Sequence, residues 1–167
     1  MKPAIITYTD LDRYTSEWRN SRIVLTGGCF DVLHYGHVTF LQKAKESGDL
    51  LVIALESDSF IKKIKGRDPF HSQHERAYIL TALRMVDYVI LLPHFENEIG
   101  YNELVQKVKP AVVAITEGDT AADKKRIHVE QVGGILKIVT PLLSTFSTTN
   151  ILNYETIFSS PDSTTSD

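Results

Sequence analysis

The sequence has little of what disulfide-stabilised, membrane-spanning and secreted proteins require. It contains a single cysteine, Cys29, so an internal disulfide framework is excluded and a reducing compartment is expected. No apolar run reaches the roughly 18 residues that a membrane-spanning helix needs. Residues 1–22 mix charged and apolar side chains without a continuous apolar core, so we expect no signal peptide. These absences predict a cytoplasmic protein that does not bind membranes.

Basic charge is also scarce. The chain has 18 Lys and Arg residues against 21 Asp and Glu residues, which gives a formal net charge of -3. Such a balance provides no basic surface for nucleic acid, so nucleic acid is not an expected partner and any phosphate binding must be local. Hydrophobic residues make up 43% of the chain and charged residues 23%, a composition typical of a globular domain with a buried core.

Short apolar runs alternate with amphipathic segments along the chain. Five runs are predicted to be strands: 23–26, 50–55, 88–91, 112–115 and 136–139. Four helices are predicted over 38–46, 72–85, 101–108 and 120–131. Short strands that are almost wholly apolar, separated by helices, are typical of a parallel sheet covered on both faces. We therefore predict a single Rossmann-like, doubly wound α/β domain of about five strands, with its ligand beyond the carboxyl ends of the strands.

The two ends of the chain differ from this pattern. Residues 1–22 are predicted to be an N-terminal extension with a short helix over 10–20. The α/β domain is predicted over 23–158. The remaining residues, 159–167, are rich in Ser, Thr and Asp with almost nothing to bury, so a disordered tail is expected there.

The first predicted strand is followed by an unusual segment. Residues 26–37 have the sequence TGGCFDVLHYGH and begin at the strand end where the fold argument places a ligand. Because Gly27 and Gly28 have no side chains, backbone N–H groups there can approach a phosphate closely. We therefore predict that this strand end binds phosphate.

Two histidines follow in the same segment. His34 and His37 are three residues apart, so on a helical turn both imidazoles point to one side, and Gly36 allows a tight turn between them. The N-terminus of the helix that begins there favours an anion. Phosphoryl and nucleotidyl transfer need donors and positive groups against developing charge. The pair is therefore predicted to stabilise charge on an α-phosphate.

Other interpretations of the histidine pair are an ordinary surface pair and a zinc site. Zinc would need two further ligands nearby. Cys29 is the only thiol, and its neighbour Phe30 favours packing in the core. We therefore predict no protein-bound metal.

The combination of strand, paired glycines, Phe30-Asp31 and His34-x-Gly36-His37 resembles the signature of the cytidylyltransferase-like nucleotidyltransferases. The resemblance extends from about residue 23 to 152. It implies that a nucleotidyl group passes from a nucleoside triphosphate, accompanied by Mg²⁺, to a phosphorylated small acceptor, with release of pyrophosphate. It also implies a homodimer as one option. The residues expected to line the nucleotide pocket at this loop are Gly27, Gly28, Cys29, Phe30, Asp31 and Gly36.

Asp31 has two further interpretations. Its carboxylate could orient a neighbouring loop or accept a hydrogen bond from the acceptor. A general base is not needed, because the attacking phosphate is already ionised at neutral pH.

A run of four cations follows the second predicted strand, within 61–67. A solvated helix end is the usual explanation of such a run. The family has a lysine in this loop that contacts phosphate, and Lys65, before Gly66, matches it; Lys62 or Arg67 could share that role. Arg76 matches a family arginine that helps to fix the active-site loop, with a helix-surface position as the alternative.

A further match follows the fourth predicted strand. Relatives have a lysine followed by Gly-Gly-Asp at this point, with the aspartate near the nucleotide. Gly118 and Asp119 are kept, whereas Thr116 and Glu117 replace the lysine and the first glycine. The three residues Glu117, Gly118 and Asp119 are therefore expected at the nucleotide, although Asp119 could simply cap the next helix.

The last motif begins the final helical pattern. Ser147, Thr148 and Thr149 match a family motif that binds the outer phosphates, and the full run Ser-Thr-Thr-Asn-Ile is similar to that of the heptose 1-phosphate adenylyltransferase group. Glycerol-3-phosphate cytidylyltransferases have an arginine about five residues before the serine, where this chain has Leu142.

The resemblance therefore implies transfer of AMP from ATP to a sugar 1-phosphate such as D-glycero-β-D-manno-heptose 1-phosphate. His34, His37 and Lys65 would be the catalytic residues. The open alternatives are a CTP:glycerol-3-phosphate cytidylyltransferase, an FMN adenylyltransferase, and a nucleotide-binding module without catalysis.

Overall fold

The computed structural model describes residues 4–141. The motif at Ser147, Thr148 and Thr149 and the tail predicted at 159–167 lie outside these described residues.

A parallel sheet organises the described part of the chain. Its six strands are β1 (Ala4–Thr7), β2 (Ile23–Gly28), β3 (Leu50–Leu55), β4 (Tyr88–Leu91), β5 (Val112–Thr116) and β6 (Ile135–Thr140). Their order across the sheet is β1-β4-β3-β2-β5-β6, with every pair parallel. From β2 the chain proceeds outward through β3 to β4 and then returns to place β5 on the other side of β2. The strand order therefore reverses between β2 and β5, which is where such folds bind ligands.

The connecting helices begin and end at clear signals. They are α1 (Leu11–Thr15), α2 (Tyr35–Lys45), α3 (Asp58–Lys65), α4 (Gln73–Thr81), α5 (Glu98–Val108) and α6 (Ala122–Glu130). Ser72 and Glu75 form a complete capping box at the start of α4. Ser57 caps α3 by accepting a hydrogen bond from the amide of Phe60, and Gly66 ends that helix with a left-handed φ of 67°.

Both faces of the sheet are covered. Alternate residues of β3 point to opposite faces: Val52 and Ala54 join one apolar cluster, and Leu51, Ile53 and Leu55 join the other. The first cluster is completed by residues of α1, α5 and α6, and the second by residues of α2 and α4. This arrangement confirms the predicted doubly wound α/β fold.

The sheet has one strand more than the five that were predicted. The additional strand, Ala4–Thr7, lies within the segment predicted to be an extension, and it pairs with β4 at the sheet edge. Leu11 and Trp18 from the same segment are fully buried, and the Trp18 ring lies 4.7 Å from that of Tyr88. This segment therefore contributes Ile6, Leu11 and Trp18 to the core of the domain, while many of its other side chains are exposed. The predicted leading helix is limited to α1, and a preceding 3₁₀ turn covers Tyr8–Asp10.

Candidate active site

The two histidines meet at the end of β2, as the spacing predicted. His34 is the extended residue that precedes α2, and His37 lies in the first turn of that helix. Their rings stack with 3.8 Å between centroids and an interplanar angle of 24°. The ring of Phe30 lies 5.0 Å from that of His37 and helps to bury it. The imidazoles therefore form one compact unit at the carboxyl edge of the sheet.

The protonation of this pair is shifted toward the neutral form. Burial lowers the pKa of His37 to about 4; the nearby His34 and the charge of Lys65 act in the same direction, while a backbone hydrogen bond at Val32 opposes them. Burial also lowers the pKa of His34. The Nδ1 atoms of both rings are buried and have no hydrogen-bond partner within residues 4–141. A bound anion would supply a partner and would raise both pKa values.

The paired glycines serve different purposes. A Cβ atom on Gly28 would lie 2.9 Å from the Phe30 ring, so the glycine permits that ring to pack over the strand end. A Cβ atom on Gly27 would meet nothing closer than the carbonyl oxygen of Ala54 at 3.7 Å, which is an ordinary contact. Gly27 is also exposed. Packing therefore does not require glycine at 27, and the open backbone there is available to a ligand.

Asp31 anchors the loop that follows α3. Its side chain is 1% exposed and accepts hydrogen bonds from Nη2 of Arg67 at 2.6 Å and from the amide of Phe70 at 2.7 Å. Burial alone would raise the pKa of Asp31, but these two hydrogen bonds and the charge of Arg67 outweigh it and hold the pKa below its ordinary value. Two roles were considered for this carboxylate, and its contacts correspond to the one in which it orients a neighbouring loop.

Among the cations after β3, Lys65 differs from its neighbours. Lys62 pairs with Asp68 at 2.9 Å, Lys63 with Glu96 at 3.3 Å, and Arg67 with Asp31.

Lys65 has no ion pair within the described residues. Its charge nevertheless acts on Cys29, Asp31 and His37, so it lies near the histidine loop. It is therefore the cation of this run that remains available to a phosphate.

Arg76 is buried and connects the surrounding loops through hydrogen bonds. The residue is 1% exposed, so the helix-surface alternative is wrong. It donates to the carbonyl oxygens of Cys29, Glu56 and His71, and to Oδ1 of Asp58 at 2.7 Å. These contacts join the ends of β2 and β3 to the start of α3. Arg76 therefore positions the site rather than facing solvent.

The turn after β5 is engaged in local contacts. Gly118 has a left-handed φ of 78°, and Glu117 is exposed. Asp119 accepts a hydrogen bond from the amide of Ala121 at 2.8 Å and pairs with Lys125 at 2.6 Å. The aspartate therefore stabilises the turn that leads into α6, but it does not cap the helix, whose N-cap residue is Ala121.

A cavity of about 330 Å³ lies beside the glycines, between the sheet and helices α5 and α6. Its floor is apolar, formed by side chains such as Leu25, Ala54 and Val113, and it reaches Gly27, Gly28 and Cys29 at the end of β2. Its polar lining is formed by side chains from several elements: Thr26, Glu56, Glu98, Tyr101, Lys124, Lys125 and His128. A volume of this size lies at the lower end of the range for small-molecule sites.

Glu56 is a residue of this cavity that the sequence analysis missed. It directly follows β3, is 8% exposed, and accepts a hydrogen bond at Oε1 from the hydroxyl of Tyr101 at 3.0 Å. Burial raises its pKa to about 7, although the Tyr101 hydrogen bond and the charges of Lys125 and Arg76 act against the shift. A charged residue at the carboxyl end of a buried strand was the available signal.

Comparison with known protein families agrees with this geometry. The family model described as cytidylyltransferase-like matches residues 25–154. The chain belongs to the cytidylyltransferase-like family. This confirms the predicted family and the predicted class of enzyme, a nucleotidyltransferase.

Several relatives in this family carry one name, bifunctional protein HldE. The chain is 50% identical to that of Nitratiruptor sp. over 96 residues, which are 57% of this chain and 20% of the relative. It is 38% identical to that of Aliarcobacter butzleri over 151 residues, 89% of this chain and 30% of the relative. It is 43% identical to that of Geobacter sulfurreducens over 137 residues, 80% and 27% respectively. The chain thus spans less than a third of the length of these relatives.

Solved structures agree on the fold. The lipopolysaccharide core biosynthesis protein from Thermoplasma volcanium superposes with a TM-score of 0.59 and 27% identity, covering 72% of this chain and 96% of that one. Pantoate-beta-alanine ligase from Francisella tularensis superposes with a TM-score of 0.54 at 14% identity, covering 93% and 78%. That second likeness concerns the fold alone. No helix of the described part of this nucleotidyltransferase is long and apolar enough to cross a membrane.

Proposed function

We propose that this nucleotidyltransferase transfers AMP from ATP to a sugar 1-phosphate, such as D-glycero-β-D-manno-heptose 1-phosphate, with release of pyrophosphate. The single observation that carries the catalytic part of the proposal is the stacked, half-buried histidine pair at the end of β2, whose buried Nδ1 atoms have no partner within the described residues. The name HldE among the relatives and the lipopolysaccharide core protein among the similar structures support the choice of acceptor class.

The proposed chemistry is an in-line displacement at the α-phosphorus of ATP. An oxygen of the acceptor's phosphate forms the new bond, and the bond from the α-phosphorus to the oxygen that bridges to the β-phosphorus breaks. The attacking oxygen is already ionised, so no general base is required. His34 and His37 donate hydrogen bonds to oxygens on the α-phosphorus, where charge develops in the transition state. Gly27 offers a backbone N–H group at the same place, and Lys65 supplies positive charge to the phosphates.

The metal expected with this reaction is Mg²⁺ bound to the triphosphate. Within residues 4–141, no group of three or more His, Cys, Asp or Glu side chains is arranged to hold a metal ion. This suits an ion that enters with the nucleotide, since Mg²⁺ is commonly held by substrate phosphates and water with few protein ligands. When bound, the ion neutralises charge on the phosphates.

The experiment that tests this function is an acceptor screen read by pyrophosphate release. The protein is incubated with ATP or CTP and, in turn, with heptose 1-phosphate, glycerol 3-phosphate and FMN. Release with ATP and the sugar 1-phosphate alone is the expected result. Release only with CTP and glycerol 3-phosphate, or only with ATP and FMN, would replace the proposed substrates. Nucleotide binding in calorimetry without turnover on any acceptor would show a binding module.

A further inference from the structure

The cavity beside the glycines and the histidine pair lie on opposite sides of β2. The histidines belong to the segment that leads into α2, whereas the cavity is enclosed by α5 and α6 on the other face of the sheet. The segment Gly27, Gly28 and Cys29, which leads toward the histidines, lines the cavity at the end of β2. In an in-line displacement, the attacking and leaving oxygens lie on opposite sides of the phosphorus. A triphosphate held between the histidines and Lys65 would therefore present its α-phosphorus to a second molecule in the cavity.

The polar groups at the cavity wall suit a molecule with several hydroxyls. Glu56 is more than nine-tenths buried, and its Oε2 atom has no hydrogen-bond partner within the part of the chain that the structure describes. Its other oxygen is fixed by the hydroxyl of Tyr101, which keeps the carboxyl group in place. An unpaired buried carboxyl oxygen is costly, so a ligand that hydrogen-bonds to it gains affinity.

We propose that Glu56, held by Tyr101, recognises a hydroxyl group of the phosphorylated acceptor through its free oxygen and so determines where the acceptor sits in the cavity. This inference rests on the proposed function, because it assumes that the acceptor is a polyol phosphate. Glu56 acts on binding and position, not on the reacting phosphorus.

The protonated form of Glu56 is the one that suits this acceptor. A protonated carboxyl group donates a hydrogen bond and presents no negative charge to the acceptor's phosphate. With its pKa raised to about 7, the group passes from protonated to ionised in the pH range in which the enzyme is assayed. The titratable groups that face it are Tyr101, Lys125, Arg76 and the thiol of Cys29. Acceptor affinity is therefore expected to fall as the pH rises from 6 to 8.

Two variants of this residue separate charge from hydrogen bonding. Glu56→Gln keeps the shape and the donor but stays neutral, and Glu56→Leu removes both. In the wild type, the apparent KM for heptose 1-phosphate should rise about tenfold between pH 6 and pH 8, because about one group in ten stays protonated one unit above its pKa. In Glu56→Gln, the part of this rise in KM that Glu56 causes should be absent, and the KM should stay at the low value that the wild type has at pH 6. Glu56→Leu should show a KM about tenfold higher throughout.

The controls address the nucleotide and the helix. The KM for ATP should change less than twofold in both variants, and Glu103→Gln, an exposed glutamate on the same helix as Tyr101, should behave as wild type. A change in the KM for ATP instead would show that the cavity holds the nucleobase. An unaltered pH dependence in Glu56→Gln would also overturn the inference while leaving the proposed function intact. Absence of turnover by the wild type with every sugar 1-phosphate would remove both.

Discussion

The carboxyl edge of the sheet contains two kinds of polar residue. Asp31 and Arg76 are buried and use their side chains on neighbouring loops. His34 and His37 lie beside them, and their buried Nδ1 atoms have no hydrogen-bond partner among the described residues. The exposed Lys65 has no ion pair there. Buried polar groups are normally satisfied within the protein, so the two unpaired imidazole atoms at the end of β2 are open to a ligand. The first kind shapes the site, and the second kind is available to substrate.

The largest effect should come from a residue that shapes the site. Arg76→Met removes the donor of three carbonyl oxygens and of Asp58, and it should lower the free energy of unfolding by about 3 kcal/mol, because each buried acceptor left without a donor costs about 1–3 kcal/mol. Denaturant unfolding measures this change. The matched control is Arg84→Met, because Arg84 is exposed, and its change should stay within about 0.5 kcal/mol.

If Arg76→Met and Arg84→Met were equally stable, Arg76 would not be holding the loops together. The distinction between residues that shape the site and residues that are available to substrate would then fail. Arg76→Lys sharpens the comparison. It keeps the charge but lacks the guanidinium fork, so we expect it to be destabilised as well.

The second-largest effect should be a loss of turnover without a loss of stability. His37→Ala removes a donor aimed at the α-phosphate and should reduce kcat by about 10²–10³, the usual cost of losing one such donor. Pyrophosphate release measures turnover, and circular dichroism checks the fold. His74→Ala provides the control, since His74 is exposed on α4. Turnover equal to that of the control would show that the imidazole does not reach the reacting phosphate.

The histidine pair should also make stability depend on pH. The pKa of His37 in the folded state is about 4, below its ordinary value of 6.5, so the unfolded chain binds the proton more readily. Stability is therefore complete above pH 6.5 and is lost as the pH falls toward 4. Between pH 7 and pH 5 the loss should be on the order of 2 kcal/mol.

This loss should be smaller in His37→Asn, and smaller in the wild type when ATP is bound, because the triphosphate raises the pKa. Denaturant unfolding at the two pH values, with and without ATP, gives both comparisons. An equal loss in the variant would place the titrating group elsewhere.

What the sequence predicted was local, and what it missed depends on contacts between distant segments. Four of the five apolar runs became strands that are buried on both faces, whereas the fifth forms the edge strand β6, which is largely exposed. His34-x-Gly36-His37 forms its site within one turn. The strand Ala4–Thr7 contains only a short apolar run, Ala4–Ile6, and it is half-buried at the sheet edge, so the sequence did not distinguish it from an extension.

The cavity could not be predicted from local patterns in the sequence. Glu56 and Tyr101 are 45 positions apart and meet only through the crossover that follows β4. Arg76 was likewise ambiguous, because a charged side chain on a helix is usually exposed and its burial depends on three loops that arrive from elsewhere.

The smallest expected effect concerns Lys65, the cation without an ion pair. It can be tested against another lysine of the same helix. Lys65 and Lys63 are both on α3, but Lys63 pairs with Glu96 whereas Lys65 has no ion pair within residues 4–141. Lys65→Ala should raise the apparent KM for ATP or lower kcat by about tenfold, which corresponds to roughly 1.4 kcal/mol of lost contact to a phosphate. Lys63→Ala makes the same change in net charge and should alter turnover less than twofold. Equal losses in the two variants would mean that the net positive charge of α3 matters and that the position of Lys65 does not.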